Sequence, residues 1–224
     1  MKRIASMEKI LKRIRYAESI YQRPLDSVQL LVVSKGQDIE AIKMLATNGQ
    51  KDFGENYLQE ALEKIRVLSA LDLDWHFIGN LQANKTQAVA ENFFWVHSVN
   101  RFKIAERLSW QRPEDLPPLN ICLEVNISGE PSKSGVAIDA LFDLALRVQG
   151  LPRLRLRGLM AIPEPLTSFH EQEVVYKKVY NLQQQLIQRG LRLDILSMGM
   201  SNDFEAAIAA GSNLVRIGTA IFRD

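Results

Sequence analysis

The sequence predicts a closed (β/α)8 TIM barrel of the α/β class, preceded by an extra N-terminal helix. Three observations carry this. Short apolar runs rich in branched residues, about eight of them, alternate with helix-period segments along 224 residues. The runs are apolar throughout, as in strands of a parallel sheet that are buried on both faces. The residues just past them are polar or glycine, which suits the rim where such barrels hold their ligands. An open doubly wound sheet shares the alternation, and counting repeats does not exclude it.

The first segment reads as a helix. Ile4, Met7, Ile10, Leu11, Ile14 and Ala17 recur at three- and four-residue steps among charged residues, and Pro24 ends the pattern. Gln29-Leu30-Leu31-Val32-Val33-Ser34 is the first strand. A helix through Ile39, Ile42, Met44 and Leu45 follows and stops at Asn48-Gly49. Further strands are expected at residues 51–54, 74–78, 94–99, 119–126, 155–160, 194–197 and 214–217. The clearest helical patterns between them cover 57–68 and 169–189, with shorter ones at 101–108, 137–148 and 203–210. The last strand runs out at Asp224 with no helix after it. Pro113 to Pro118 reads as a surface loop. Residues 1–224 are therefore expected to form one domain, with 1–23 as a helix packed on the barrel.

Composition narrows the function. Hydrophobic residues are 46% and charged residues 24%, an ordinary globular balance. Twenty-eight basic against 26 acidic residues leave a charge of +2, too small for a field that would gather nucleic acid or anionic membrane. The single cysteine, Cys122, excludes an internal disulfide framework and a cysteine-rich zinc site. No apolar run approaches a membrane span and the first residues lack a signal-peptide core, so a cytoplasmic protein of a reducing compartment is expected. No long exposed apolar stripe demands a partner, and a monomer is expected.

The strand ends carry the candidate residues. Lys35 follows the most hydrophobic strand, where partial desolvation would favour the free amine that condenses with carbonyls. Taken alone it reads more simply as a lysine reaching from a strand end into water. Gly54-Glu55-Asn56 ends strand two, and Asn56 suits either a ligand or the cap of the next helix. Ser197 to Asp203 and Val215 to Ala220 form the loops after strands seven and eight, a common phosphate site in this fold. There Ser201 offers a hydroxyl, Gly218 permits close backbone approach, and Thr219 adds an N–H and a hydroxyl. Ser201 or Asn202 could equally cap the following helix. Arg216 lies within strand eight, and an inward charge there would need a ligand atom or a carboxylate.

Other constellations are poor. His76, His97 and His170 lack metal-ligand spacing, so no metal is expected. Residues 129–135 lack the order of a nucleotide-binding loop, and no nucleophile elbow exists. Arg153, Arg155 and Arg157 alternate with leucines as at a solvated strand entry. Cys122 reads as a buried small hydrophobe.

A set of linked motifs resembles a known family. These are Val32-Val33-Ser34-Lys35, Phe53 to Glu60, Trp75-His76-Phe77-Ile78-Gly79 with Leu81 to Lys85, Ser132-Lys133-Ser134-Gly135, Arg157 to Pro163, Ser197 to Asp203, and Val215 to Phe222. In that order they are similar to the pyridoxal phosphate homeostasis proteins, the YggS/PROSC family. The resemblance implies a fold type III barrel like the N-terminal domain of alanine racemase. It implies pyridoxal 5'-phosphate as cofactor, held as an internal aldimine on Lys35. It places the phosphate at Ser201, Gly218 and Thr219, the ring beside Asn56, and the pyridine nitrogen opposite Arg216. A guanidinium that keeps its proton donates to that nitrogen and leaves it unprotonated, which weakens the ring as an electron sink. Two departures stand out. Gly36-Gln37-Asp38 replaces a frequent Thr-Lys-Pro, and the end at Ile221-Phe222-Arg223-Asp224 is shorter than the family's usual tail.

Three functions compete. The resemblance favours a non-catalytic carrier of the cofactor in vitamin B6 homeostasis and amino-acid and keto-acid balance. A racemase-type enzyme would need an acid opposite the lysine, which alanine racemases draw from a second domain that this length leaves no room for. A cofactor-free lysine aldolase gives no reason for an inward Arg216. No catalytic residue is therefore assigned, and which proteins receive the cofactor is not legible.

Overall fold

The computed structural model describes residues 2–130 and 134–222. Eight parallel strands close on themselves in sequential order, β1-β2-β3-β4-β5-β6-β7-β8. They are β1 Gln29–Val33, β2 Asp52–Glu55, β3 Asp74–Phe77, β4 Trp95–Val99, β5 Leu119–Glu124, β6 Leu154–Met160, β7 Ile195–Ser197 and β8 Leu214–Ile217. Closure runs through β1 and β8, where Leu31 pairs with Arg216 and Val32 with Ile217. The expected strands agree with these to within a residue or two at either end, and closure removes the open-sheet alternative.

The helices are α1 Lys2–Ile20, α2 Ile39–Ala46, α3 Leu58–Val67, α4 Thr86–Asn92, α5 Phe102–Gln111, α6 Ile138–Gln149, α7 Phe169–Gln188, α8 Phe204–Ala209 and α9 Thr219–Phe222. One of them was not located in the sequence and one corrects it. α4 is the helix that the alternation expects after strand three, but its buried residues Thr86, Val89 and Ala90 give almost no apolar period by which to place it. α9 follows the strand that was expected to run out, and its single turn buries Ile221 and Phe222.

Alternation along each strand separates two apolar regions. Outward residues such as Leu30, Val32, Phe53 and Val215 pack under the helices. Inward residues Leu31, Trp95, Cys122, Met160, Ile195 and Leu214 fill the barrel itself. Cys122 is a buried hydrophobe as expected, and burial pushes its thiol up to about 12.

The N-terminal helix α1 closes one side of the barrel. It buries Met7, Ile10, Ile14 and Ala17. Arg13 makes a two-pronged pair with Glu205, at 2.9 and 3.0 Å, while its guanidinium lies 4.6 Å over Phe204. Glu18 is buried and accepts from Val28 N at 2.7 Å and Arg15 Nη1 at 2.6 Å. The entry to β1 is thereby tied to the helix before it.

At the N-terminal ends of the strands, Arg155 is exposed as its spacing suggests, but Arg153 and Arg157 are less solvated. Arg157 donates to Asp194 at 2.6 and 2.7 Å and to Asn120 at 3.0 Å, and lies 4.9 Å over Trp95. Arg153 donates to Ser109 O and pairs with Glu114. An open depression of about 750 Å³ surrounds Arg155, Arg157 and Arg192 at this end.

Candidate cofactor site

The opposite end of the barrel holds a cavity of about 300 Å³ lined by Val33, Lys35, Gln37, Asn56, Ile78, Ile162, Met200, Ser201, Arg216, Gly218, Thr219 and Phe222. All six candidate residues from the sequence (Lys35, Asn56, Ser201, Arg216, Gly218 and Thr219) meet there. They come from strand ends or strands one, two, seven and eight, as the rim of this fold requires.

Lys35 follows β1 in a turn that is held from below. Ser34 Oγ donates to Glu55 Oε1 at 2.6 Å. The buried Lys64 Nζ donates to Ser34 O at 2.7 Å, to Glu55 Oε1 at 2.7 Å and to Glu60 Oε1 at 2.5 Å. Glu60 in turn accepts from Gly36 N at 2.6 Å, where φ is +71°. Glycine adopts that left-handed backbone without strain. Burial raises the Glu55 carboxyl above its ordinary value despite the bonds from Lys64 and Ser34. Lys35 itself is exposed at the mouth rather than partly desolvated as expected. The apolar strand stops at Val33, and the turn lifts Lys35 clear of it. The desolvated lysine of this region is Lys64. Of the family departures, Asp38 caps α2 by accepting from Ala41 N at 2.6 Å, and Gln37 lines the cavity.

Asn56 does not cap the helix after it. Tyr57 occupies the cap position of α3 without a side-chain bond. Asn56 Oδ1 is buried with no hydrogen-bond partner among the described residues. A buried orphan amide oxygen carries a free-energy cost that a donor from a ligand would relieve. Its backbone is fixed by Gly79, where an added Cβ would fall 2.1 Å from Asn56 O.

The cradle after β7 and β8 joins two short helices. Neither Ser201 nor Asn202 caps α8; Asp203 takes that position and accepts from Met200 N at 2.6 Å. Ser201 Oγ instead accepts from Ala220 N at 3.4 Å, bridging to the first turn of α9. A Cβ at Gly218 would meet Val33 O at 2.9 Å, so β8 leaves the barrel hard against β1. Thr219 begins α9, whose first N–H groups have no partner within the helix.

Arg216 points inward and is 4% exposed. Its Nη1 donates to Ser197 O and, at 2.9 Å, to Ser197 Oγ; Nη2 donates to Ala161 O at 3.0 Å. Carbonyls and a hydroxyl hold it, not the carboxylate that an inward charge suggested, and Nε–H has no partner among the described residues. Burial lowers its guanidinium below the ordinary value, partly offset by Tyr176 and Asp203. Among the described lining residues there are two cations and no carboxylate, an arrangement that attracts an anion.

The sequence reading missed the groups beneath these residues. Lys64 was not singled out, and its spacing of four from Glu60 on a helix fits a solvated pair. His76, His97 and Ser197 were given no role, yet the fold joins them to Arg216 by hydrogen bonds. The Ser132-Lys133 pair lies outside the described residues. No group of metal-ligating side chains occurs among the described residues, and no described helix is long and apolar enough to cross a membrane.

The closed parallel barrel, with a lysine after its first strand and the loops after its last two strands meeting it at one cavity, belongs to the class of alanine racemase N-terminal-domain barrels. Residues 6–224 match that family, the alanine racemase N-terminal domain. Within it, the chain belongs to the pyridoxal phosphate homeostasis protein family. It is 54% identical over 217 residues to the pyridoxal phosphate homeostasis protein of Pseudomonas aeruginosa, covering 97% of this chain and 93% of that one. The Escherichia coli protein of the same name is 48% identical over 220 residues, covering 97% and 94%. The structure of PipY from Synechococcus elongatus with PLP bound superposes with a TM-score of 0.83 at 35% identity, over 95% of this chain and 99% of that one. Alanine racemase from Corynebacterium glutamicum shares the fold, with a TM-score of 0.69 at 14% identity, and this chain covers 60% of its length.

Proposed function

We propose that this chain binds pyridoxal 5'-phosphate and holds it without catalysing a reaction of its own. In this reading it serves vitamin B6 homeostasis and amino-acid and keto-acid balance in the cytoplasm, as a one-domain monomer. The observation that carries the reading is the convergence of Lys35, Asn56, Ser201, Arg216, Gly218 and Thr219 on one cavity. The homeostasis proteins of Pseudomonas and Escherichia, and the bound PLP of PipY, support it.

The residues fit the group. Pyridoxal phosphate supplies an aldehyde, a dianionic phosphate and a pyridine nitrogen. Lys35 offers the amine that holds the aldehyde covalently. Ser201, Gly218 and Thr219 offer hydroxyl and backbone donors to the phosphate. The unpartnered Nε–H of Arg216 offers a donor to the ring nitrogen, and the orphan Oδ1 of Asn56 accepts on the ring's flank.

The cavity lining supports holding over catalysis. Racemisation needs a group that moves a proton on the face opposite the lysine. The described lining residues include no His, Tyr, Cys, Asp or Glu. Arg216 retains its proton and cannot serve as that acid.

The test begins with uptake. The purified protein is expected to take up pyridoxal phosphate with a visible absorbance that Lys35→Ala abolishes. A wild type that remains colourless after addition of the cofactor overturns the reading. The loaded protein is then incubated with an amino-acid panel in deuterated water. No Cα exchange with turnover is expected, and its occurrence would establish the racemase-type alternative.

A further inference from the structure

Four hydrogen bonds cross the barrel interior from the cavity to the opposite rim. Arg216 Nη1 lies 2.9 Å from Ser197 Oγ, Ser197 Oγ 2.7 Å from His97 Nδ1, His97 Nε2 2.9 Å from His76 Nδ1, and His76 Nε2 3.1 Å from Asp52 Oδ1. The first four groups are almost wholly buried, at 4%, 0%, 0% and 1% exposure, whereas Asp52 opens β2 with 28% of its side chain exposed. His76 is held flat on Trp95, with ring centroids 5.4 Å apart and planes 4° apart.

Counting donors fixes the direction of the chain. A carboxylate only accepts, so Asp52 takes the proton on His76 Nε2. With neutral imidazoles, His76 Nδ1 then accepts from His97 Nε2, and His97 Nδ1 accepts the Ser197 hydroxyl proton. Ser197 Oγ, its own proton spent, accepts from Arg216. Every donor along the chain, from Arg216 Nη1 to His76 Nε2, is then satisfied. The reverse order needs a charged His76 and makes Ser197 Oγ accept from both His97 and Arg216. Its hydroxyl proton would then find no acceptor among the described residues, and a buried unmet donor is costly. Burial and the nearby His76 and Arg216 also hold His97 well below the ordinary imidazole range.

The geometry points to Asp52, His76, His97 and Ser197 as a chain of positioning residues that orders the Arg216 guanidinium from the far rim of the barrel. This rests on the cofactor reading above for what Arg216 faces, but not for the chain itself. Ordering matters because three of the five guanidinium N–H groups are committed to Ser197 and Ala161, which leaves Nε–H and one N–H on Nη2 for a ligand in the cavity that Arg216 lines. Reversing the bonds would make His97 a second donor to Ser197 Oγ in competition with Arg216, so a change at Asp52 reaches the cavity without touching it.

The test uses Asp52→Ala, with Asp52→Asn as the conservative control that keeps an acceptor oxygen. In the unloaded wild type, imidazole nitrogen NMR is expected to show His76 and His97 neutral with the proton on Nε2, and a slowly exchanging Arg216 side-chain N–H. Asp52→Ala is expected to mix the tautomers and speed that exchange, and Asp52→Asn to restore both. In the loaded protein, Asp52→Ala is expected to shift the visible band and weaken retention of pyridoxal phosphate by about fivefold, the equivalent of one buried hydrogen bond. Protonation on Nδ1, or a charged histidine at neutral pH in the wild type, overturns the chain. Altered tautomers in Asp52→Ala with an unchanged band and unchanged retention overturn the positioning role. Failure of the wild type to take up the cofactor overturns the function proposed above, while the measurements on unloaded protein still decide the chain.

Discussion

Lys64 Nζ lies 2.7 Å from Glu55 Oε1 beneath the turn that carries Lys35, with the two side chains 4% and 0% exposed. Such a pair contributes little net stability, because desolvation offsets most of the attraction, but breaking it strands a charge. Lys64→Met is expected to cost about 3–5 kcal/mol in chemical denaturation, since Glu55 stays buried without its cation. Adding Glu55→Gln is expected to recover part of that loss. Equal stabilities for the single and double variants would show that the pair is not coupled.

The proposed phosphate contacts are expected to be separable from the fold. Ser201→Ala with Thr219→Ala removes two hydroxyls at the cavity, and Ser201 makes only a 3.4 Å bond within the protein. Cofactor should be lost faster on dialysis, while the melting temperature of the unloaded protein changes little. Retention equal to wild type would refute the phosphate assignment.

His97 makes stability depend on pH in a defined direction. The unfolded chain protonates this histidine near pH ~6.5, whereas the folded protein holds its pKa well below that range. Its contribution is therefore complete above the unfolded value and falls away as pH drops toward the folded one. The slope attributable to this group reaches at most about 1.4 kcal/mol per pH unit. Unfolding free energies measured on both sides of that range should fall more steeply for the wild type than for His97→Gln, and parallel curves would remove His97 as the cause.

Gly79 should tolerate no side chain. Gly79→Ala puts a methyl where Asn56 O now lies, 2.1 Å from the ideal Cβ, and the obstacle is backbone. A loss of about 1–3 kcal/mol is expected as the Asn56 segment is displaced. Cofactor retention should fall with it, because Asn56 lines the cavity. A variant with wild-type stability would mean that this backbone gives way freely.

Much of the molecule could be read in one dimension. The barrel was legible because parallel strands are buried on both faces and appear as short unbroken apolar runs. Lys35, Asn56, Ser201, Arg216, Gly218 and Thr219 were legible because a closed parallel barrel gathers its strand ends on one rim, so position along the chain stands in for position in space. The position of α4 was not legible, since a helix with three buried residues and no apolar stripe leaves no period to detect.

What the sequence determined by itself was the order of strands and helices, the rim that carries the polar residues and, through its linked motifs, the family. Only the tertiary structure decided which charges are buried and what they meet. The Glu60–Lys64 spacing fits a solvated helix pair equally well, until packing turns Lys64 under β1 to Ser34 and Glu55. His97 and Ser197 stand 100 residues apart and touch because closure brings inward side chains of distant strands into one layer. Hydrophobic pattern is a local property of the chain and survives in sequence. A buried hydrogen-bond network depends on directions across the barrel, and those exist only once it has closed.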